Sequence, residues 1–220
     1  SNCSSLETIN MSGNISKFGK SVFEDTKWYD NQPDGPVYLK NIFYKYKGTM
    51  PENINFIIKN KTTIIGGSAF ENMTGLTTVS LPDSIVYIGD AAFSYSGLTN
   101  IVIPDGVKAI GISAFSGCKK LTDAVISDSV EKIGDNAFRT CSILESVYIG
   151  KNVEEIGLYA FYECRILPEI EIPAKVSSIG QYAFVGCYSL ESITVDKNNL
   201  YYLSIDGVLY NKTMTQLILY

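Results

Sequence analysis

Four cysteines, Cys118, Cys141, Cys164 and Cys187, recur every 23 residues, and Cys3 falls in the same register. Thiols at that interval have three chemical readings. A zinc site wants close pairs such as Cys-x-x-Cys, which the chain lacks. Disulfides between neighbours are permitted if the recurrence brings Cα atoms to within roughly 4.4–6.8 Å. The favoured reading is a column of buried, reduced thiols, each a small hydrophobe filling a repeated slot. Met73 at the same repeat position agrees with it.

The acidic residues offer less. Glu169 and Glu171 stand two apart in an alternating stretch, so both point to one side of a strand, roughly 7 Å from each other. Paired acids at that range serve inverting glycosidases; here no enclosing pocket is suggested, and a solvated strand face accounts for them. Asp83, Asp105 and Asp128 recur in one turn position. Calcium takes such oxygens, but acidic turns ordinarily face water, and neither a metal nor a cofactor is expected. With no His anywhere, there is no Ser-His or Cys-His pair, and no Gly-x-Ser-x-Gly elbow or phosphate loop appears. The chain is therefore not expected to be an enzyme. Eighteen basic against 23 acidic side chains leave no basic stripe for nucleic acid. No apolar run approaches the roughly 20 residues of a membrane span, so membrane insertion is not expected either.

These residues are spaced by a repeat. Ile-Gly-x-x-Ala-Phe occurs six times, ending at Phe70, Phe93, Phe115, Phe138, Phe161 and Phe184, at intervals of 23, 22, 23, 23 and 23 residues. Leu76, Leu98, Leu121, Leu144, Leu167 and Leu190 follow, then alternating apolar pairs such as Ile101/Ile103 and Ile170/Ile172. The alternation predicts a short strand with one face inward. Pro82, Pro104 and Pro173 end it, because Pro cannot donate to a continuing ladder. Val-x-x-Ile, as in Val130 to Ile133, predicts a second, shorter extended piece. The following Gly permits a sharp turn or close approach to a neighbour. Asp90 and Asp135 are placed to cap a single helical or 3₁₀ turn carrying Ala and Phe. One unit cannot bury its apolar side alone, so stacked units share a core. The expected fold is an α/β repeat solenoid, rich in β, with a parallel sheet along one side and short helical or 3₁₀ turns on the other.

The ends are irregular. Trp28-Tyr29 and Asp34-Gly35-Pro36-Val37-Tyr38 interrupt the first units, and Asp206-Gly207-Val208-Leu209-Tyr210 repeats that pattern near the end. Asp-Gly and Asn-Lys between apolar runs predict tight hairpins. The organisation read from the sequence is one solenoid over 1–220, with hairpin-bearing units at about 24–50 and 196–220. It is expected to be a piece of a longer array, since neither end reads as a polar cap.

The stretch Leu98 to Cys118 follows Leu-x-x-Ile-x-Ile-Pro-x-x-Val-x-x-Ile-Gly-x-x-Ala-Phe-x-x-Cys, with Ala109 before Ile110. In this the chain resembles the BspA-like leucine-rich repeat family, also described as the Treponema pallidum type, over essentially its whole length. Departures are confined to Met73 and Ser96 in the Cys column and Ser127, Gly150 and Asp196 in the Pro column. The resemblance implies a secreted or surface-attached protein of bacteria or certain protists, associated with adhesion to host or neighbouring-cell proteins. It carries over no catalytic residue.

The outward strand positions are the best functional lead. One column reads Ser80, Val102, Val125, Tyr148, Glu171, Thr194; the other reads Thr78, Asn100, Asp123, Ser146, Glu169, Ser192. Val102, Val125 and Tyr148 form a small apolar strip rimmed by Asn100, Asp123, Glu169 and Glu171, the anatomy of a contact site. Against this, β-branched and aromatic residues favour strands for their own reasons. Tyr159, Tyr162 and Tyr182 on the turn side are a rival aromatic surface. The expected function is extracellular or cell-surface adhesion, binding a host, neighbouring-cell or matrix protein. A glycan-binding module and a passive spacer are the alternatives.

Overall fold

The computed structural model describes residues 3–11, 15 and 17–219. Each repeat forms one coil with two extended pieces. The short pieces Ile64–Ile65, Tyr87–Ile88, Ala109–Ile110, Lys132–Ile133, Glu155–Ile156 and Ser178–Ile179 pair in parallel and in register. Together with the antiparallel hairpin Gly35–Leu39/Ile42–Lys47 they make one eight-stranded sheet. The longer pieces form the broad face of the solenoid. That face has three parts: Ile54–Ile57 with Leu76–Ser80; Asn100–Ile103, Asp123–Ile126 and Ser146–Tyr148; and Glu169–Ile172 with Ser192–Val195. The expected parallel sheet is present on the broad face but interrupted, and the unbroken ladder is the short one.

The core is made of identical side chains in rows. The repeat Phe, Ala and Leu residues of the central coils are fully buried. Phe70, Phe93, Phe115, Phe138 and Phe161 stack with centroids 5.1–5.3 Å apart and planes within 10° of each other. This is the offset-stacked range for aromatic pairs, and it is close to the strand spacing of about 4.8 Å. The Gly after each repeat Ile is required by that closeness. A Cβ on Gly134 would lie 2.7 Å from the Gly111 carbonyl carbon, so any other residue pushes two coils apart.

The side opposite the broad face is not helical. Among the described residues the single helix is the four-residue Lys27–Asp30, in the irregular N-terminal unit. The segment carrying Ala and Phe is instead a run of overlapping β-turns. In one coil the Ala69, Glu71 and Met73 amides donate back to the carbonyls of Gly66, Ser68 and Phe70. The amides between them, of Ser68, Phe70 and Asn72, donate to Asp90, Ala92 and Ser94 of the next coil at 2.6–2.9 Å. The reason is the pitch. A helix with side chains is about 10 Å across and cannot stack at a rise near 5 Å. It would also satisfy these amides within itself and leave the coils unjoined. Aiming alternate amides along the stack requires positive φ at Ser68, Ala91, Ser113, Asn136, Tyr159 and Tyr182 (53° to 58°). That conformation costs non-glycine residues on the order of 1 kcal/mol each, which the coil-to-coil hydrogen bonds offset. Asp90 and Asp135 accordingly cap no helix. Their Oδ1 atoms accept from the Ile112 and Leu158 amides of the following coil, both at 2.8 Å.

The irregular units follow the sequence in part. Asp206-Gly207, with φ of 52° and 82°, turns the hairpin between Tyr202–Ile205 and Val208–Asn211, as a type I′ turn requires. Asp34-Gly35 makes no such turn: Gly35 opens a strand, and the N-terminal hairpin reverses at Lys40-Asn41. The difference lies upstream: Tyr202–Ile205 supplies a strand before Asp206, whereas the residues before Asp34 form the short Lys27–Asp30 helix and a turn, so no strand is there to be reversed. Trp28 packs into the unit's own core, 5.4 Å from Phe23 and 6.0 Å from Tyr44 between ring centroids. The last residue of the second hairpin unit, Tyr220, lies outside the described residues.

Removing one ring from the centre of the row leaves a gap that its neighbours cannot close, because their coils are hydrogen-bonded on both sides. Phe138→Ala should lower the unfolding free energy by about 3–5 kcal/mol in urea melts. A loss below about 1 kcal/mol would show that the stacked rings are not what holds the coils together.

Candidate interaction surface

The strands Asn100–Ile103, Asp123–Ile126 and Ser146–Tyr148 run side by side in register. Their alternation puts Ile101, Ile103, Ala124 and Ile126 into the core. Val102, Val125 and Tyr148 consequently face outward in one row, 60%, 41% and 43% exposed. Asn100, Asp123 and Ser146 form a parallel exposed row beside them. The strip lies in a shallow depression of about 710 Å³ whose polar margin includes Thr78, Asp83, Asp105 and Asp128.

Tyr148 is held in place. Its hydroxyl donates to Asp128 Oδ1 at 2.7 Å, and the same oxygen accepts from the Lys151 amide at 3.0 Å. The Lys151 amide and the Tyr148 hydroxyl together hold the Asp128 carboxyl below its usual range, with help from the Lys151 ammonium. Donation to that carboxylate, with some burial, raises the Tyr148 phenol to about 12. The ring is thus a fixed aromatic anchor, which loses little side-chain freedom when a partner covers it.

The expected surface residues do not all fall together. Val102, Val125, Tyr148, Asn100 and Asp123 share one three-stranded sheet, whereas Glu169 and Glu171 belong to the strand paired with Ser192–Val195. The break has a cause in Pro168. Thr122 donates to the Thr99 carbonyl and Glu145 to the Thr122 carbonyl; Pro168, next in that column, has no N–H to donate to Glu145. Both glutamates are exposed and flank the strip across this break. Among the described residues no group of three or more His, Cys, Asp or Glu side chains is placed to hold a metal. The Asp128–Tyr148 tether is not legible in the sequence, although the Asp column is, because the two residues lie 20 apart and meet only across coils.

The cysteine column carries no disulfide; Cys118, Cys141 and Cys164 are buried and Cys187 is half-buried. Cys118, Cys141, Cys164 and Cys187 donate to the carbonyls of Phe93, Phe115, Phe138 and Phe161 at 3.0–3.3 Å. Each thiol points at a carbonyl of the preceding coil and forms no disulfide. Cys3, at the matching position of the first unit, is exposed. Burial pushes the Cys118 and Cys187 thiols up to about 11 and holds those of Cys141 and Cys164 well above the usual value. On the turn side, Tyr159 and Tyr182 stack 5.1 Å apart, Tyr162 stands edge-on to Tyr159, and Arg139 lies over both Tyr159 and Tyr162. The three tyrosines are legible in the sequence as one surface; the arginine over them is not.

Stacked coils with a constant side chain at each position define a β-solenoid of the leucine-rich repeat class. The chain belongs to the BspA-type leucine-rich repeat family: a BspA type leucine rich repeat region matches in six copies, over residues 1–31, 40–165 and 110–218. Two solved structures are similar. A leucine rich cell surface protein from Faecalibacterium prausnitzii is 30% identical with a TM-score of 0.61, and the match covers 81% of this chain and 56% of that one. The pneumococcal vaccine antigen PcpA is 25% identical with a TM-score of 0.69, the match covering 81% of this chain and 49% of that one. The chain thus spans about half the length of each. No curated protein matches it. No helix among the described residues is long and apolar enough to cross a membrane.

Because the folded-state thiol values are raised, their contribution to stability is complete below the unfolded value near pH 8.5. It is lost as pH rises from there toward 11. Between about pH 8.5 and 9.5, before the tyrosines titrate, the urea midpoint should fall. The fall should be shallower in a Cys118→Ala/Cys187→Ala variant; parallel slopes for the two proteins would contradict the assignment.

Proposed function

We propose that this chain is a non-catalytic module that binds a protein partner through its broad face, in a secreted or cell-surface protein. The observation that carries the reading is the row Val102, Val125 and Tyr148, exposed on a rigid three-stranded sheet and ending on a tyrosine locked by Asp128. An aromatic anchor beside aliphatic groups within a polar margin is the arrangement in which interface energy concentrates. The strip is smaller than a standard contact of about 800 Å² per partner, and adjoining coils supply the remainder. Membership in a leucine-rich repeat family supports an interaction role. A structural neighbour described as a cell surface protein supports the location. The partner we favour is a host, neighbouring-cell or matrix protein, and the reading includes no cofactor and no nucleic acid.

Immobilised protein should capture a partner from solubilised host-surface and matrix fractions. The double substitution Tyr148→Ala/Val125→Ser should weaken that capture by about 30-fold, the equivalent of losing an interface hot spot of about 2 kcal/mol. Tyr148→Phe keeps the ring and frees it from Asp128, so it should fall between the two. Capture unchanged by the double substitution, in protein with an unchanged urea midpoint, would remove the strip as the contact site.

A further inference from the structure

The turn side carries a second surface whose chemistry differs from that of the strip. A groove of about 610 Å³ crosses several coils there, running from Lys20, Glu71 and Asp90 past Tyr95 to Asn136 and Arg139; Glu71 is paired with Lys20 and Asp90 is bonded to the Ile112 amide. One coil in from the Lys20–Glu71 end, the Tyr95 ring, 52% exposed, lies flat on the backbone of Gly117, where any Cβ would meet it at 2.4 Å. At the other end Arg139 lies over two tyrosines, its guanidinium carbon 5.6 Å from the Tyr159 centroid and 5.2 Å from that of Tyr162. Those rings are 82° apart in plane, so the guanidinium sits in a corner that fixes its orientation. Between Tyr95 and Arg139 are hydroxyls, an amide and the exposed Ile112 side chain.

Arg139 also lacks a partner that its counterpart has. The chain contains two arginines. Arg165 pairs with the Glu163 carboxylate at 3.0 Å. Among the described residues Arg139 makes no ion pair; its one side-chain hydrogen bond is a long one, 3.4 Å, to Asn136 Oδ1. A guanidinium oriented by aromatic faces, with unfilled N–H donors facing a groove, is prepared for a carboxylate from outside the chain.

We propose that this groove binds an extended glycan, one sugar per coil, with a carboxylated sugar (uronic or sialic) on Arg139. The coil rise, 5.1–5.3 Å along the phenylalanine row, is close to the advance of one sugar unit in an extended chain. Successive sugars therefore meet successive coils in the same register. The exposed face of Tyr95 takes the apolar face of a sugar ring, while Ser113, Asn136 and Thr140 offer donors and acceptors to its hydroxyls. Arg139 supplies a bidentate contact that a neutral sugar cannot match. A polypeptide fits less well, because an extended chain advances about 3.3 Å per residue and its residues fall out of register with the coils.

The test uses linear oligosaccharides of hyaluronan, alginate and polygalacturonate, each beside its carboxyl-reduced counterpart, with calorimetry on the full chain. At least one acidic oligosaccharide should bind, and its reduced form should bind about tenfold or more weakly. Arg139→Gln should cause a loss of similar size and Tyr95→Ala a further loss, with both variants unfolding at the wild-type urea midpoint. Tyr148→Ala, on the opposite face, should bind the glycan as the parent does, which separates this site from the protein-binding strip. The proposal is overturned if no acidic oligosaccharide binds, if reduced and acidic forms bind equally, or if Arg139→Gln leaves affinity unchanged. Loss of protein capture, rather than of glycan binding, in Arg139→Gln would assign the groove to a polypeptide and overturn it as well.

Discussion

Backbone hydrogen bonds between successive coils set the rise of this solenoid, and nearly every other feature is a consequence of that rise. On two sides of each coil the bonds are those of parallel strands. On the turn side they come from every second amide, donated to the next coil along the stack. Both arrangements demand a spacing near 5 Å. At that spacing a phenylalanine can repeat only as a stack, a glycine is needed wherever backbone approaches backbone, and a helix has no room. Ala beside each Phe is small for the same reason, and all six of these alanines are buried.

The same constraint builds the surfaces. Any residue that repeats becomes a column, and any residue that departs from its column becomes a local event on a regular lattice. Val102, Val125 and Tyr148 make a strip because three neighbouring coils happen to place apolar side chains on the outer face of one sheet. Arg139 and its tyrosines make a fixed cationic corner because Asn136 and Tyr159, at one turn position, and Arg139 and Tyr162, at another, are brought side by side by the pitch. The scaffold is rigid at both places, since each presenting residue is bounded by coils bonded above and below. Two faces with different chemistry are therefore presented by one scaffold.

Much of this was legible in the residues. The Ile-Gly-x-x-Ala-Phe repeat, its Leu and alternating apolar positions, and the Pro that ends the strand led directly to stacked coils with a shared core. The buried thiols of Cys118, Cys141 and Cys164 followed from the absence of close cysteine pairs and from Met73 in their column, whereas Cys187 and Cys3, toward the two ends, are half-buried and exposed. The helical turn side did not follow correctly. Asp before Ala-Phe looks like a helix cap locally, and only the spacing to the next coil reveals that its carboxylate serves a neighbour's amide. The Asp34-Gly35 turn failed because the residues before it form a short helix and a turn instead of a strand that could be reversed. The interruption of the broad face at Pro168 was legible in principle, since a residue without N–H stood in a donor column, but its effect depends on knowing that the column donates.

By itself the sequence determined the period, the rows of identical core side chains and the family, because a fixed interval of apolar residues has one economical way to be buried. It also determined which residues would face outward on the strands, through simple alternation. The tertiary structure alone decided what those residues do to one another. Tyr148 finds Asp128, Arg139 finds two tyrosines, and Glu169 and Glu171 part from the strip, through contacts between coils some 20 residues apart. The physical reason is that periodicity specifies position along the chain, whereas hydrogen bonds and ring contacts between coils depend on a pitch of a few ångströms that no single repeat contains.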